Sequence, residues 1–246
     1  MKPAPFEYAA PETLDEALAL LGDDSRPLAG GQSLVPMLNF RLARPARLVD
    51  LERVAGLAYI EPSETLRIGA MTRQSAVERS QAIAAGWPLL GQAVRLVGHP
   101  QIRARGTIGG SVAHADPKAE LPVALAALGA RFHVRSPAGA RTLVAAELFR
   151  GPLMTALAPD ELLVEIEVPP LPAGARTAFL EQARTHGDFA TAGVAAVVRD
   201  DGVTLGLLGA AFTPVVIESE ADIDAPDPYL RALLAALAAR AIEAAV

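Results

Sequence analysis

Two short segments, Ala29-Gly30-Gly31-Gln32-Ser33 and Thr107-Ile108-Gly109-Gly110-Ser111, each place paired glycines directly after an apolar stretch, and this repetition constrains the chain more than any other feature. Consecutive glycines let successive amide N–H groups face one concavity, and a helix starting just beyond adds the positive end of its dipole. Each pair alone also reads as an ordinary tight turn. Together they suit an anion with two charged groups, a diphosphate, which two amide-rich turns meeting over it would hold without lysine. Lys2 and Lys118 are the only lysines in the sequence.

Other nucleotide and hydrolase signatures are missing. The sequence has no G-x-G-x-x-G and no G-x-x-x-x-G-K-[ST], which removes a Rossmann dinucleotide site and a P-loop. Gly31-Gln32-Ser33 continues into Leu34-Val35, which breaks a G-x-S-x-G elbow, and H-E-x-x-H does not occur. The absence of cysteine excludes disulfides, thiol nucleophiles, thiolate zinc sites and cysteine-ligated iron–sulfur clusters at once. Any electron chemistry here therefore needs an organic cofactor.

The balance of 28 acidic against 22 basic residues, net −6, argues against nonspecific attraction to nucleic acid or an anionic membrane. No apolar run is long enough for a membrane span and the N-terminus lacks a signal-peptide core, so the sequence predicts a cytoplasmic address. With 246 residues, 51% hydrophobic, the chain is long enough for a large core divided into two or three pieces.

The organisation reads as α+β. Thr13 and Glu16 form a capping box for a helix whose Leu14, Ala17, Leu18 and Leu21 share one face. A strand at Pro27-Leu28-Ala29 runs into the first glycine turn, and a helix begins near Leu34. Leu66 to Ile68 predicts a strand, Thr72 an N-cap for a helix over 74–80, and Leu90, Ala93, Val94 and Val97 another helical face. Pro122 is placed at a first helical position, ahead of a short buried helix that Gly129 ends. Strands are expected over 131–135 and over 163–168, with Val164, Ile166 and Val168 on one face. A linker over 169–174 leads to strands near 179–184, 194–198 and 203–208, and then to a helix striped by Leu230, Leu233, Leu234 and Leu237. This gives pieces at 1–55, 56–170 and 171–246.

His99, His114, His133 and His186 show no metal-ligand spacing, and only His114 adjoins a glycine turn. Asp116 and Glu120 flank Lys118, where they also fit simple compensation of a helix dipole. Gly187-Asp188-Phe189-Ala190 is either a plain turn with a core aromatic or, in a chain with 4% aromatics, a placed ring.

At these residues the sequence resembles the FAD-binding middle subunit of the molybdenum hydroxylases, the group holding bacterial carbon monoxide dehydrogenase and the split-subunit relatives of xanthine dehydrogenase. The resemblance runs from Phe6-Glu7-Tyr8 through both glycine segments, Leu48-Val49-Asp50-Leu51, Ile68-Gly69-Ala70 and Pro100-Gln101-Ile102-Arg103, to Gly187-Asp188-Phe189-Ala190. It implies a two-piece FAD-binding domain of the vanillyl-alcohol-oxidase/PCMH-like type followed by a small C-terminal α+β domain. It further implies that Ala29, Gly30, Gly31, Gln32 and Ser33, with Thr107, Ile108, Gly109, Gly110 and Ser111, hold the FAD pyrophosphate and ribityl chain. By the same resemblance Glu120 reaches sugar or ribityl hydroxyls, the Leu163 backbone approaches the flavin ring, and Phe189 lies against the isoalloxazine.

The chain departs from the family at Ser111, commonly asparagine, and at Glu120, more usually aspartate. It departs again at Glu181-Gln182-Ala183, a stretch that often carries a lysine, and in a C-terminal piece that reads as short. The implied role is electron transfer. A large partner subunit with a molybdenum cofactor oxidises substrate, a small [2Fe-2S] partner relays the electrons, and FAD here passes them to an external acceptor such as NAD or a quinone. No residue of this chain is expected to be catalytic or to bind metal. The alternatives are a self-sufficient flavin oxidase or dehydrogenase and a flavin-free scaffold of the same fold.

Overall fold

The computed structural model describes residues 2–185 and 187–246, so His186 lies outside the described residues. The first elements are β1 (Glu7–Ala9), α1 (Leu14–Ala19), β2 (Ser25–Leu28), α2 (Leu34–Asn39) and β3 (Arg47–Asp50), whose strands form a parallel sheet in the order β1-β3-β2. The capping box is present: Thr13 Oγ1 accepts the Glu16 amide, and the Glu16 carboxylate accepts the amides of Glu12 and Thr13. Helix α1 buries Ala17 and Leu18 against Val49, Leu51 and Val54. Pro27 is tolerated in β2 because that strand is an edge, where a missing ladder donor faces no partner.

The second group contains β4 (Ile60–Pro62), β5 (Leu66–Gly69), α3 (Gln74–Arg79), α4 (Gln81–Gly86), α5 (Pro88–Leu96), α6 (Pro100–Arg105), α7 (Ile108–His114) and α8 (Glu120–Ala127). It continues through β6 (Arg131–Ser136), β7 (Gly139–Val144), α9 (Ala145–Leu148), β8 (Phe149–Gly151), β9 (Met154–Thr155) and β10 (Leu162–Val168). An antiparallel sheet, β4-β5-β10-β6-β7, packs under α5, α7 and α8, with every residue of α8 buried. Gly129 takes φ +67° directly after the last turn of α8, the expected glycine stop.

Three local expectations need correction. Thr72 does not cap α3: its hydroxyl exchanges hydrogen bonds with both backbone groups of Tyr59, and Arg73 takes the cap position with no side-chain bond. Pro122 is the third residue of α8, still within the turn whose N–H groups have no intrahelical acceptor. In β10 the pairing to β6 slips between Leu163 and Glu165, leaving Val164 as an extra bulged residue. Leu163, Ile166 and Val168 therefore share the main core, whereas Val164 packs beside Leu162 in the N-terminal core.

The last group is the antiparallel sheet β11 (Arg176–Gln182), β12 (Ala192–Arg199), β13 (Gly202–Leu208) and β14 (Val215–Ile217), followed by α10 (Pro228–Ala244). Helix α10 covers one face with Leu234, Leu237, Ala238 and Ala241, and Leu230 and Leu233 pack at its margin. The other face enters the main core through Phe179, Ala195, Val197 and Leu208. Gly206 permits this docking, since a Cβ there would stand 2.9 Å from the Val123 carbonyl oxygen of α8. Among the described residues no helix is long and apolar enough to cross a membrane.

Phe132 is fully buried at the centre of the main core, edge-on to Phe149 with ring centroids 6.1 Å apart. Phe132→Ala should cost about 3–5 kcal/mol, read as a lowered urea midpoint with little change in slope. A midpoint unchanged from wild type contradicts this placement of the core.

Candidate functional site

A cleft of about 1030 Å³ runs between the parallel sheet, the α6–α8 segment and the β8–β9 hairpin. Its first wall is the turn leaving the carboxyl end of β2. Gly31 adopts φ +73°, a conformation side chains disfavour, and the Gln32 side-chain amide donates to the Gly30 carbonyl oxygen at 3.0 Å. No amide from Gly30 to Ser33 donates to another group among the described residues. These unbonded amides belong to residues that line this part of the cleft.

The second glycine segment abuts the first. A Cβ on Gly30 would lie 2.2 Å from the Arg105 carbonyl oxygen and 2.8 Å from Gly106 Cα, while one on Gly110 would lie 3.4 Å from Ala29 Cβ. Chain segments nearly eighty residues apart therefore meet at backbone distance, which only glycine allows at Gly30. Of the thirteen residues singled out from the sequence, the cleft gathers Ala29 to Ser33, Thr107, Gly109, Gly110, Ser111, Glu120, Leu163 and Phe189.

Ile108 is the exception, because its side chain is fully buried in the main core. The second segment also differs in kind from the first. Ile108 and Gly109 donate to the carbonyl oxygens of Thr72 and Ala70, Gly110 to Thr107 Oγ1, and Ser111 to the Thr107 carbonyl oxygen. Four of its five amides are committed within the protein, all but that of Thr107, so this wall offers close approach and the Ser111 hydroxyl instead of a row of free donors. A Cβ on Gly109 would stand 2.6 Å from the Ala70 carbonyl oxygen, which explains that glycine by packing alone.

Glu120 opens α8 and is 7% exposed. Burial, reinforced by the charges of Glu181 and Asp116, pushes its carboxyl up to about 7. Burial likewise raises Glu181 to about 7, and its Oε2 has no hydrogen-bond partner among the described residues. Burial holds the His114 imidazole below its ordinary value, against the pull of Asp116. Phe189 stands 61% exposed beside the cleft, at the end of a turn that Gly187 makes at φ +81° against the His99 ring.

Two residues were missed. Gln74 lines the cleft at 4% exposure with Oε1 unpartnered among the described residues, and Glu181 reaches the surroundings of Glu120. Neither sits in a motif, and only tertiary contact brings them here. The arrangement can take a long, partly anionic ligand between unbonded amides, hydroxyls and apolar walls. No cluster of potential metal ligands lies in the cleft among the described residues.

Comparison with known proteins agrees with this geometry. Residues 4–171 match the FAD binding domain in molybdopterin dehydrogenase. The 6-hydroxypseudooxynicotine dehydrogenase complex subunit alpha of Paenarthrobacter nicotinovorans is 48% identical over 205 residues, covering 82% of this chain and 69% of that protein. The carbon monoxide dehydrogenase medium chain of Hydrogenophaga pseudoflava is 42% identical over 219 residues, covering 87% and 76%. A solved structure of carbon monoxide dehydrogenase from the same organism, lacking the Mo-pyranopterin moiety, superposes with a TM-score of 0.93 at 36% identity, over 100% of this chain and 98% of that one. The unbonded amides of Gly30 to Ser33, on residues that line the cleft, suit a dinucleotide. The chain belongs to the FAD-binding domain family of the molybdopterin dehydrogenases and is an oxidoreductase subunit of that kind.

Proposed function

We propose that the cleft holds FAD with its diphosphate on the amides of Gly30 to Ser33, and that the subunit relays electrons within a molybdenum hydroxylase complex. The observation that carries this reading is the backbone contact of Gly30 with Arg105 and Gly106, beside a row of uncommitted amides. In this reading Thr107 to Ser111 close over the diphosphate, Gly110 by lacking a side chain and Ser111 by its hydroxyl. Glu120 accepts from a ribityl or sugar hydroxyl, the Leu163 backbone faces the ring, and exposed Phe189 covers an isoalloxazine face. Bound FAD supplies one- and two-electron transfer. The residues of this chain bind it, orient it and set the charge around it.

The partners in this reading are a molybdenum-cofactor large subunit and a [2Fe-2S] small subunit, with NAD or a quinone as the final acceptor, all in the cytoplasm. The names of the relatives support a multi-subunit assembly, and the lack of cysteine supports clusters on another polypeptide. The purified chain should carry about one FAD per molecule, seen as a visible flavin spectrum. Gly110→Val should weaken FAD binding at least tenfold, about 1.4 kcal/mol, while leaving the circular dichroism spectrum intact. A colourless wild-type chain with no affinity for FAD sinks the reading and leaves the scaffold alternative. Oxidation of a small organic substrate without partner chains favours the self-sufficient one.

The pH dependence of the flavin-free chain follows from Glu120. A carboxyl whose folded pKa is raised to about 7 keeps a proton in the native state that the unfolded chain has already released above about 4.3. Its contribution to stability is fully present below the unfolded value and is lost as pH rises through about 7. His114 acts with the opposite sign, since its lowered pKa costs stability as the solution acidifies. Glu181, also raised to about 7, acts with the same sign as Glu120, and Glu120→Gln leaves both Glu181 and His114 in place, so the difference between variant and wild type reports Glu120 together with its coupling to Glu181. Between about pH 5 and about pH 8 the urea midpoint should fall more steeply in wild type than in Glu120→Gln. Equal slopes contradict the buried neutral carboxyl.

A further inference from the structure

Outside the cleft, the sheet carries a second convergence of polar atoms. His133 on β6 stands directly across from Glu165 on β10, and Glu167 lies two residues along on the same face. One atom from each, His133 Nε2, a Glu165 oxygen and a Glu167 oxygen, all fall within 4.8 Å of one another. Nε2 is 3.1 Å from Glu167 Oε2 and 3.6 Å from Glu165 Oε1. Ligand atoms held about 2.0–2.1 Å from a tetrahedral ion stand roughly 3.3 Å apart, so these two separations bracket the required spacing.

The surroundings orient these atoms. Glu165 Oε2, the oxygen turned away from the centre, accepts from the Tyr59 hydroxyl and from Arg67 at 2.6 Å. Arg131 lies 3.6 Å from Glu167 Oε1, again the outer oxygen. Each carboxylate thus has one oxygen beside an arginine and the other turned to His133, and the hydrogen-bond contact between Glu167 Oε2 and Nε2 is one that an entering ion would replace. Thr142 Oγ1 on β7 lies 3.1 Å from His133 Nδ1 and can accept its proton, which leaves the Nε2 lone pair for an ion. The side chains of His133, Glu165 and Glu167 are 30%, 11% and 22% exposed, and His133, Glu165 and Thr142 border a recess of about 390 Å³ that gives entry and room for a water ligand.

We propose that His133, Glu165 and Glu167 bind a divalent first-row transition ion of the zinc type, with the fourth position open to solvent. An imidazole with two carboxylates suits such an ion better than magnesium or calcium, which prefer all-oxygen sets. The ion would clamp β10 to β6 beside the Val164 bulge, on the strand whose Leu163 lines the cleft. The site is separate from the flavin cleft and does not depend on the proposed flavin role.

The test is calorimetric titration of the full chain with zinc ion alone, in a non-chelating buffer, together with the visible spectrum on adding cobalt(II) alone. Wild type should bind one equivalent with a micromolar or lower Kd and give the intense spectrum of tetrahedral cobalt. His133→Gln and Glu167→Gln should each weaken binding at least tenfold, and Thr142→Val, on an exposed strand position, should weaken it about tenfold by removing the hydroxyl that orients the imidazole. Circular dichroism melting checks that each variant folds; should a glutamine variant fail, Thr142→Val carries the test. Wild-type binding no tighter than millimolar overturns the proposal, as does zinc affinity unchanged in the folded variants.

Discussion

The arrangement of the cleft depends on one close approach: the Gly30 backbone against the Arg105 carbonyl oxygen and Gly106 Cα. It joins the parallel sheet to the α6–α7 connection without an intervening side chain, and it brings Ala29 and Gly110 to the same wall. The free amides of the first turn and the committed amides of the second follow from different local structures. The first turn leaves a strand end with nothing to pair with, whereas the second is the capped start of α7, pinned to Ala70 and Thr72. In the proposed reading, anion capture falls to one segment and enclosure to the other.

The C-terminal sheet is part of this construction. One face belongs to its own core with α10, and the other completes the main core over α5 and α8, with Gly206 meeting Val123 at backbone range. That docking carries β11 and the Gly187 turn to the cleft, placing Glu181 near Glu120 and Phe189 at the rim. Near the stretch where the family resemblance leads one to expect a lysine, the buried Glu120 and the half-buried Glu181 share one neighbourhood. With FAD bound as proposed, a neutral or singly charged pair would leave its surroundings less positive than lysine would, which disfavours an anionic reduced form.

Features that local chemistry decides were legible in the sequence. The Thr13 capping box, the Gly129 stop, the leucine stripe of α10 and both glycine segments are all set by neighbours a few residues apart. Features that a distant partner decides were not. Thr72 looks like a cap until Tyr59 takes its hydroxyl, and the β10 alternation looks regular until pairing with β6 expels Val164. Ile108 sits in the right motif, yet its side chain belongs to the core. Gln74 and Glu181 lie in no motif and reach the site only through packing. The glycine spacing pointed to two amide walls; the amides of the first are unbonded among the described residues, whereas four of the five in the second are taken within the protein.

This division of labour is tested most directly by the affinity of the flavin-free chain for FAD against riboflavin, which shares the ring and ribityl chain but lacks the diphosphate and adenosine, with ADP as competitor to report the diphosphate end without the ring. If the amides of Gly30 to Ser33 supply the main anchor, FAD should bind on the order of a hundredfold more tightly, about 2.7 kcal/mol. Equal affinities would mean that the ring pocket alone does the binding, and the account built on the first glycine turn would fail.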